Sequence, residues 1–176
     1  IDQNEKIKFI SGEVNNNKIT FKKDLKLPNN YFGIGFDIHR LLKGKKLYLG
    51  GIMIPFHSGL KGHSDGDVII HAIIDAILGA MRKKDIGTFF PSNKNKYKNI
   101  RSRNMLKPII SILQKDGYFV NNLDINLICE KPKVSKFRDK IIKSISALLS
   151  IDKNLINLKG KTVEKLGLIG SEQAIA

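Results

Sequence analysis

The chain has 176 residues, of which 41% are hydrophobic, and a formal net charge of +15. That length holds one core and leaves little for a second domain of ordinary size. No apolar run reaches the ~18–20 residues that a membrane span needs; the longest, Val68–Met81, is interrupted by His71 and Asp75 and reads as an amphipathic or mostly buried helix.

The basic surplus has three readings: compositional bias, attraction of a small phosphorylated substrate, and nucleic-acid binding. Nucleic-acid surfaces join basic patches to exposed aromatics or arginine clusters. Here tryptophan is absent, only five of the 31 basic residues are arginine, and lysine is scattered with asparagine along the chain. The expectation is therefore bias first, a phosphorylated ligand second, and neither a nucleic-acid nor a membrane partner. Cys129 is the sole cysteine, so there is no disulfide framework and no CxxC zinc motif. With no Asn-X-Ser/Thr sequon either, a reducing compartment is expected. The first residue is Ile rather than Met, and a targeting segment ahead of it stays open as a reading.

Residues 1–30 are polar and rich in Asn and Lys, and read as an N-terminal extension carrying at most a short hairpin near Val14–Phe21. The domain is expected from 31 to 176. Tyr31–Phe36 alternates and predicts a strand. Leu47–Ile54, broken by Gly50-Gly51, predicts a bent strand or hairpin. Ser64 stands three residues before Asp67 and ahead of an apolar run, close to a capping box, which predicts a helix from about Asp65 to Met81. Residues 92–99 read as a polar loop. Asn99–Lys115 predicts a helix that must accommodate Pro108 and ends at Asp116-Gly117. Tyr118–Cys129 predicts a strand, Glu130–Lys133 a turn, Lys136–Leu149 an amphipathic helix and Leu155–Lys159 a strand, followed by a loop over 160–171. This order predicts an α+β fold, a two-layer sandwich of a mixed β-sheet packed against helices. It names no function.

The chemistry lies in the polar exceptions. Asp37 and His39 are two apart, so on a strand they face one side. A carboxylate and an imidazole so placed are a pair of metal ligands, or a simple hydrogen-bonded pair. Asp67, His71 and Asp75 recur every four residues and share one helix face. On so apolar a helix that stripe faces either solvent or a polar site at the core edge. In the second case His71 supplies a third ligand, and Asp67 or Asp75 orients the ligands from behind. Two histidines and one aspartate make an ordinary catalytic zinc set with a fourth position open.

Gly35-Phe36-Asp37-Ile38-His39, Gly62-His63-Ser64-Asp65-Gly66-Asp67-Val68 with His71, Asp85-Ile86-Gly87 followed by Phe90-Pro91, Pro132-Lys133 and Thr162-Val163-Glu164-Lys165-Leu166-Gly167 stand in one order along the chain. In that order and approximate spacing they resemble the 2-C-methyl-D-erythritol 2,4-cyclodiphosphate synthases, over about residues 31–176. The resemblance implies a phosphorus–oxygen lyase of non-mevalonate isoprenoid biosynthesis (the MEP pathway). Such an enzyme converts 4-diphosphocytidyl-2-C-methyl-D-erythritol 2-phosphate into the cyclic diphosphate and releases CMP. It implies Asp37, His39 and His71 as ligands of Zn²⁺ or another divalent transition metal. Glu164 would hold a second ion, Mg²⁺ or Mn²⁺. His63 and Ser64 would touch the substrate's phosphates, with His63 and Thr162 stabilising the transferred phosphoryl group. Asp37 and His39 count among the substrate contacts too. Asp85, Ile86 and Gly87 would meet the ribose, and Cys129, Lys133, Lys161 and the rest of 160–162 the cytidine pocket. A homotrimer is implied, with each site between two subunits.

Plainer readings stand beside these. Glu164 and Lys165 can be ordinary loop charges, Cys129 packing, Asp85 a turn cap and His57 a surface residue. The chain also departs from the family pattern. Ser92 stands where a carboxylate usually follows Phe-Pro, and Ser171 and Gln173 replace an Arg and a Glu. Isoprenoid regulation at a trimer cavity is therefore not implied. A final strand is expected beyond Ala176. The Lys/Asn-rich extension tips the expected location toward a plastid-type organelle, apicoplast or chloroplast, rather than a bacterial cytoplasm.

Overall fold

The computed structural model describes residues 30–176. The hairpin expected near residues 14–21 lies outside the described residues. A hairpin opens the regular structure after strand β1, His39–Lys43: β2 is Leu47–Leu49 and β3 is Ile52–Ile54. Gly50 and Gly51 link β2 to β3 with φ of 60° and 83°. Two consecutive left-handed residues are what a tight hairpin turn demands, and glycine adopts them without steric cost. Strand β4, Ser58–Leu60, returns antiparallel along β1 with Leu41 opposite Leu60.

Helix α1, Val68–Ala80, is the spine of the domain. Ile70, Ile74 and Leu78 on it are at most 1% exposed. It packs on α3, Ser102–Lys115, whose Leu106, Ile109 and Leu113 are buried in the same core cluster. Each such side chain contributes roughly 1.5–3 kcal/mol when fully buried. A short helix, α2 (Ile86–Phe89), lies between them in sequence. Pro108 is on the exposed side of α3, where its missing N–H interrupts the ladder without ending the helix. Strand β5 (Leu123–Ile128) pairs in parallel with β6 (Ile156–Lys161), joined by helix α4 (Arg138–Leu149). The single-turn α5 (Gly167–Gly170) and strand β7 (Ala174–Ile175) complete the chain.

Strand β7 ties two halves together. It pairs antiparallel with β1, His39 opposite Ile175. One residue on, Ala176 exchanges two backbone hydrogen bonds with Ile128 of β5, at 2.7 and 3.0 Å. The described fold is thus α+β, with antiparallel and parallel strand pairs packed against helices.

Several expectations need correction. Tyr31–Phe36 makes no strand: the first strand begins at His39, and Asp37 lies just before it. Its alternation is real, but Phe32, Ile34 and Phe36 point outward and are 90%, 92% and 66% exposed. The backbone instead runs along α1, where Cβ atoms on Gly33 and Gly35 would lie 1.8 Å from the carbonyl oxygens of Ala76 and Ala72. Helix α1 starts after Asp67 rather than near Asp65, because the Asp67 carboxylate, not Ser64, accepts the N–H of Ile70. Helix α3 starts three residues later than expected, β5 omits Tyr118–Asn122, and β6 runs on to Lys161. The 160–171 loop holds α5, and β4, α2 and β7 had no counterpart in the sequence reading.

Candidate metal centre

Asp37, His39 and His71 converge. Asp37 Oδ2 lies 2.8 Å from His71 Nδ1 and 3.0 Å from His39 Nε2, and the two ring nitrogens are 3.3 Å apart. The segment leading into β1, the first residue of that strand and the first turn of α1 deliver these groups across 34 residues of sequence. The Asp37 carboxyl feels opposing influences. Burial alone would raise its pKa, but hydrogen bonds from the His39 and His71 rings outweigh it and hold the group well below the usual carboxylate range. A carboxylate and two imidazole nitrogens around one point, with His71 buried and Asp37 and His39 only partly so, are a donor set for a divalent transition metal with an open position.

Behind the ligands is a buried polar network. His71 Nε2, the ring nitrogen facing away from Asp37, lies 2.9 Å from Ser102 Oγ and 3.1 Å from Ser64 Oγ. Ser102 Oγ hydrogen-bonds to Asp65 Oδ1, which also accepts the Ser102 N–H at 3.1 Å. Arg101 Nε donates to Asp65 Oδ2 at 2.7 Å, and its guanidinium lies 3.7 Å from the Tyr48 ring centre. Ser64, Asp65 and Ser102 are buried, and no buried side-chain polar atom among the described residues lacks a partner.

Neither Asp67 nor Asp75 orients His71, contrary to one of the sequence readings. The fully buried Asp67 carboxylate accepts the N–H groups of Gly50 at 2.9 Å and Gly51 at 2.6 Å, so it clamps the hairpin turn to the start of α1. Burial, then the charge of Asp65, raise its pKa, and the amide donors oppose them. Asp75 Oδ1 accepts the Ile86 N–H at 2.7 Å and thereby ties the Asp85-Ile86-Gly87 turn to the metal helix. Ser102 and Asp65 were missed as orienting residues. Asp65 sat in plain view inside the His63–Val68 block, but nothing in the pattern pointed it at Ser102.

The remaining candidates divide by location. His63 is exposed, its carbonyl accepting the Asn99 N–H at 2.7 Å. The Ser64 hydroxyl points inward, to His71 and to the Gly66 N–H. Asp85 caps α2: its Oδ1 accepts from Thr88 N at 2.9 Å and from Thr88 Oγ1 at 2.7 Å. A space of about 460 Å³ adjoins it, lined by Asp75, Gly79, Lys83, Lys84 and Thr88. Cys129 is buried, burial pushes its thiol up to about 11, and its Sγ sits 3.6 Å from the Pro132 carbonyl oxygen. Lys133, Lys161, Thr162 and Glu164 are exposed. Thr162 Oγ1 donates to Glu164 Oε1 at 2.9 Å. Glu164 and Lys165 both take left-handed φ, 53° and 63°. Glu130 Oε1 accepts the N–H groups of Val163 and Lys165, both at 3.1 Å, and so braces that strained turn. Glu164 is not among the three clustered ligands, nor is His57, which is exposed and pairs with the buried Ser58.

The sequence model of the YgbB family matches residues 31–176, the whole of this fold. The chain is 54% identical over 173 residues to the bifunctional enzyme IspD/IspF of Pelagibacter ubique, covering 98% of this chain and 47% of that protein. It is 46% identical over 144 residues to the 2-C-methyl-D-erythritol 2,4-cyclodiphosphate synthase of Treponema denticola, covering 82% of this chain and 89% of that one. Among solved structures, IspF of Plasmodium falciparum in a CDP complex matches with a TM-score of 0.72 and 44% identity, over 82% of this chain and 89% of that chain. The chain spans about half the length of the bifunctional relatives it matches, 47% and 48%. The family model over residues 31–176, with identities of 46% and 54% to these relatives, makes the chain a member of the YgbB family, the cyclodiphosphate synthases its motifs resemble.

Proposed function

We propose that the chain carries 2-C-methyl-D-erythritol 2,4-cyclodiphosphate synthase activity, closing 4-diphosphocytidyl-2-C-methyl-D-erythritol 2-phosphate into the cyclic diphosphate with release of CMP. The observation that carries this reading is the convergence of Asp37, His39 and His71 to within 3.3 Å of one another. The nucleophile, the substrate's own 2-phosphate, is already an anion, so the chain needs no activated serine or thiol. The side chains agree: the Ser64 hydroxyl is turned into the fold, and the Cys129 thiol is held protonated at neutral pH.

The difficulty is to bring two phosphates in line against their mutual repulsion. Asp37, His39 and His71 would hold a zinc-like ion, and Glu164 a magnesium-type ion; such ions supply the charge that neutralises phosphate oxygens. His63, exposed and next to Ser64 in the chain, would donate to a phosphate oxygen. Thr162 would offer a further hydroxyl, and Lys133 and Lys161 would supply positive charge for the nucleotide; all three are exposed. Following the family resemblance, we place the complete site between two subunits of a homotrimer.

Residues before Tyr31 align with the bifunctional relatives, whereas the Treponema enzyme covers only 82% of the chain. We therefore read 1–30 as a stretch shared with two-activity enzymes rather than as a targeting extension. A plastid-type location then rests on Lys/Asn composition alone, and fractionation of the native cell tests it.

Phosphorus NMR of the product tests the activity. One cyclic diphosphate per CMP, abolished by a chelator and restored by zinc, is the expected result. An open diphosphate or orthophosphate would mean a hydrolase on the same centre. Light scattering should give three times the chain mass.

A further inference from the structure

The hydrogen bonds behind His71 favour one tautomer of its ring. Asp65 Oδ1 accepts the backbone N–H of Ser102, and Oδ2 accepts from Arg101. Both oxygens are thus acceptors, and the group is a carboxylate. Ser102 has a single hydroxyl proton, and an acceptor-only carboxylate oxygen at short range takes it. Ser102 Oγ is then left as an acceptor for His71 Nε2, 2.9 Å away, which suits the tautomer with hydrogen on that nitrogen. Ser64 Oγ, at 3.1 Å, also lies on the Nε2 side. The lone pair of Nδ1 is left pointing at Asp37 and His39, where the cation would sit.

We propose that Asp65 and Ser102 are positioning residues for the metal, committing His71 to the tautomer whose Nδ1 is a ligand. This rests on the metal reading above. A carboxylate on Nε2 directly is the common arrangement behind a ligating histidine; here a serine stands between them. Asp37 draws hydrogen toward Nδ1 from the other side. A cation takes Asp37 and Nδ1 together, and the one hydrogen the neutral ring keeps is the one Ser102 receives. Ser102 is fully buried and Asp65 nearly so, so water does not compete for either bond. Arg101 fixes the far end, since it also donates to the Gly51 carbonyl at 3.2 Å.

The test uses the full chain and two variants, Ser102→Ala and Asp65→Asn. Zinc affinity is measured by competition with a chromogenic chelator. The exchangeable ring proton of His71 is followed by proton NMR of the cobalt(II)-loaded protein, with thermal unfolding as the check on folding. Each variant should weaken zinc by about 10- to 100-fold. The His71 ring proton, slow to exchange in the parent, should move into rapid exchange with solvent. Unchanged zinc affinity in both variants overturns the proposal. So does weaker zinc binding with the ring-proton signal and its exchange rate unaltered, because packing loss alone would do that. Should Asp65→Asn not fold, Ser102→Ala decides by itself: it removes one oxygen and leaves the Arg101–Asp65 pair in place. A parent that binds no zinc would bring down the metal reading as well, whereas a parent that binds it no better than its variants sinks this inference only.

Discussion

The metal centre and the 162–165 turn are built in opposite ways. Behind His71 the polar groups of Ser64, Asp65 and Ser102 are buried and paired, and the supporting groups come from three segments: the Ser64–Asp67 stretch, α1 and the start of α3. Around Glu164 the side chains are exposed, the backbone is left-handed twice in succession, and one carboxylate, Glu130, braces it. A buried network is preorganised, since satisfied hydrogen bonds in a low dielectric hold their geometry. An exposed, strained turn holds its shape only while its brace does. The first arrangement suits ligands that must meet a cation at fixed distances; the second suits groups that close onto a substrate.

Removing a ligand from the rigid half should have the largest effect. His71→Ala is expected to abolish both zinc binding and CMP release; metal analysis and a turnover assay check it, and wild-type turnover without added metal would break the assignment. Next comes the scaffold under that half. Asp67→Ala strips the cap of α1 and leaves the Gly50 and Gly51 N–H groups without their acceptor, so it should cost about 2–4 kcal/mol in denaturant unfolding. Asp67→Asn should recover only part of this, because its amide would face an N–H group.

The exposed half should respond in function rather than stability. Glu130→Ala releases the 163–165 turn and is expected to lower kcat/KM about 10-fold or more, with zinc content and melting temperature near the parent's. Loss of zinc in that variant would show that the two halves are not independent. The smallest effect sharpens the comparison through pH. In chelator-treated protein the depressed pKa of Asp37 contributes stability that is full above its ordinary value of 3.8 and is lost as pH falls through the lower folded value. The stability gap between the parent and Asp37→Asn should therefore be widest above that value and shrink in acid; a gap that widens in acid would contradict it.

Much of the centre was legible in order along the chain. Asp37 and His39 stand two apart, His71 interrupts an otherwise apolar helix, and local periodicity carries both signals. The hairpin at Gly50-Gly51 was readable because a tight turn needs left-handed residues. The supporting contacts were not. Ser102 and Asp65 are 37 residues apart, and neither type in isolation says what it will face. Asp67 looked like a partner for His71 by helical spacing, yet it spends its oxygens on a turn 16 and 17 residues back. Tyr31–Phe36 has strand alternation, but a strand is defined by a neighbour, and alternation cannot supply one.

The sequence by itself therefore determined the ligand types, their approximate elements and the family, because these depend on residue chemistry and local repeat. Only the tertiary structure decided which nitrogen of His71 faces Asp37 and His39, what lies behind the ring, and which aspartate caps a helix instead of joining the cluster. Those are questions of distance between segments remote in the chain, and packing around α1 alone sets that distance.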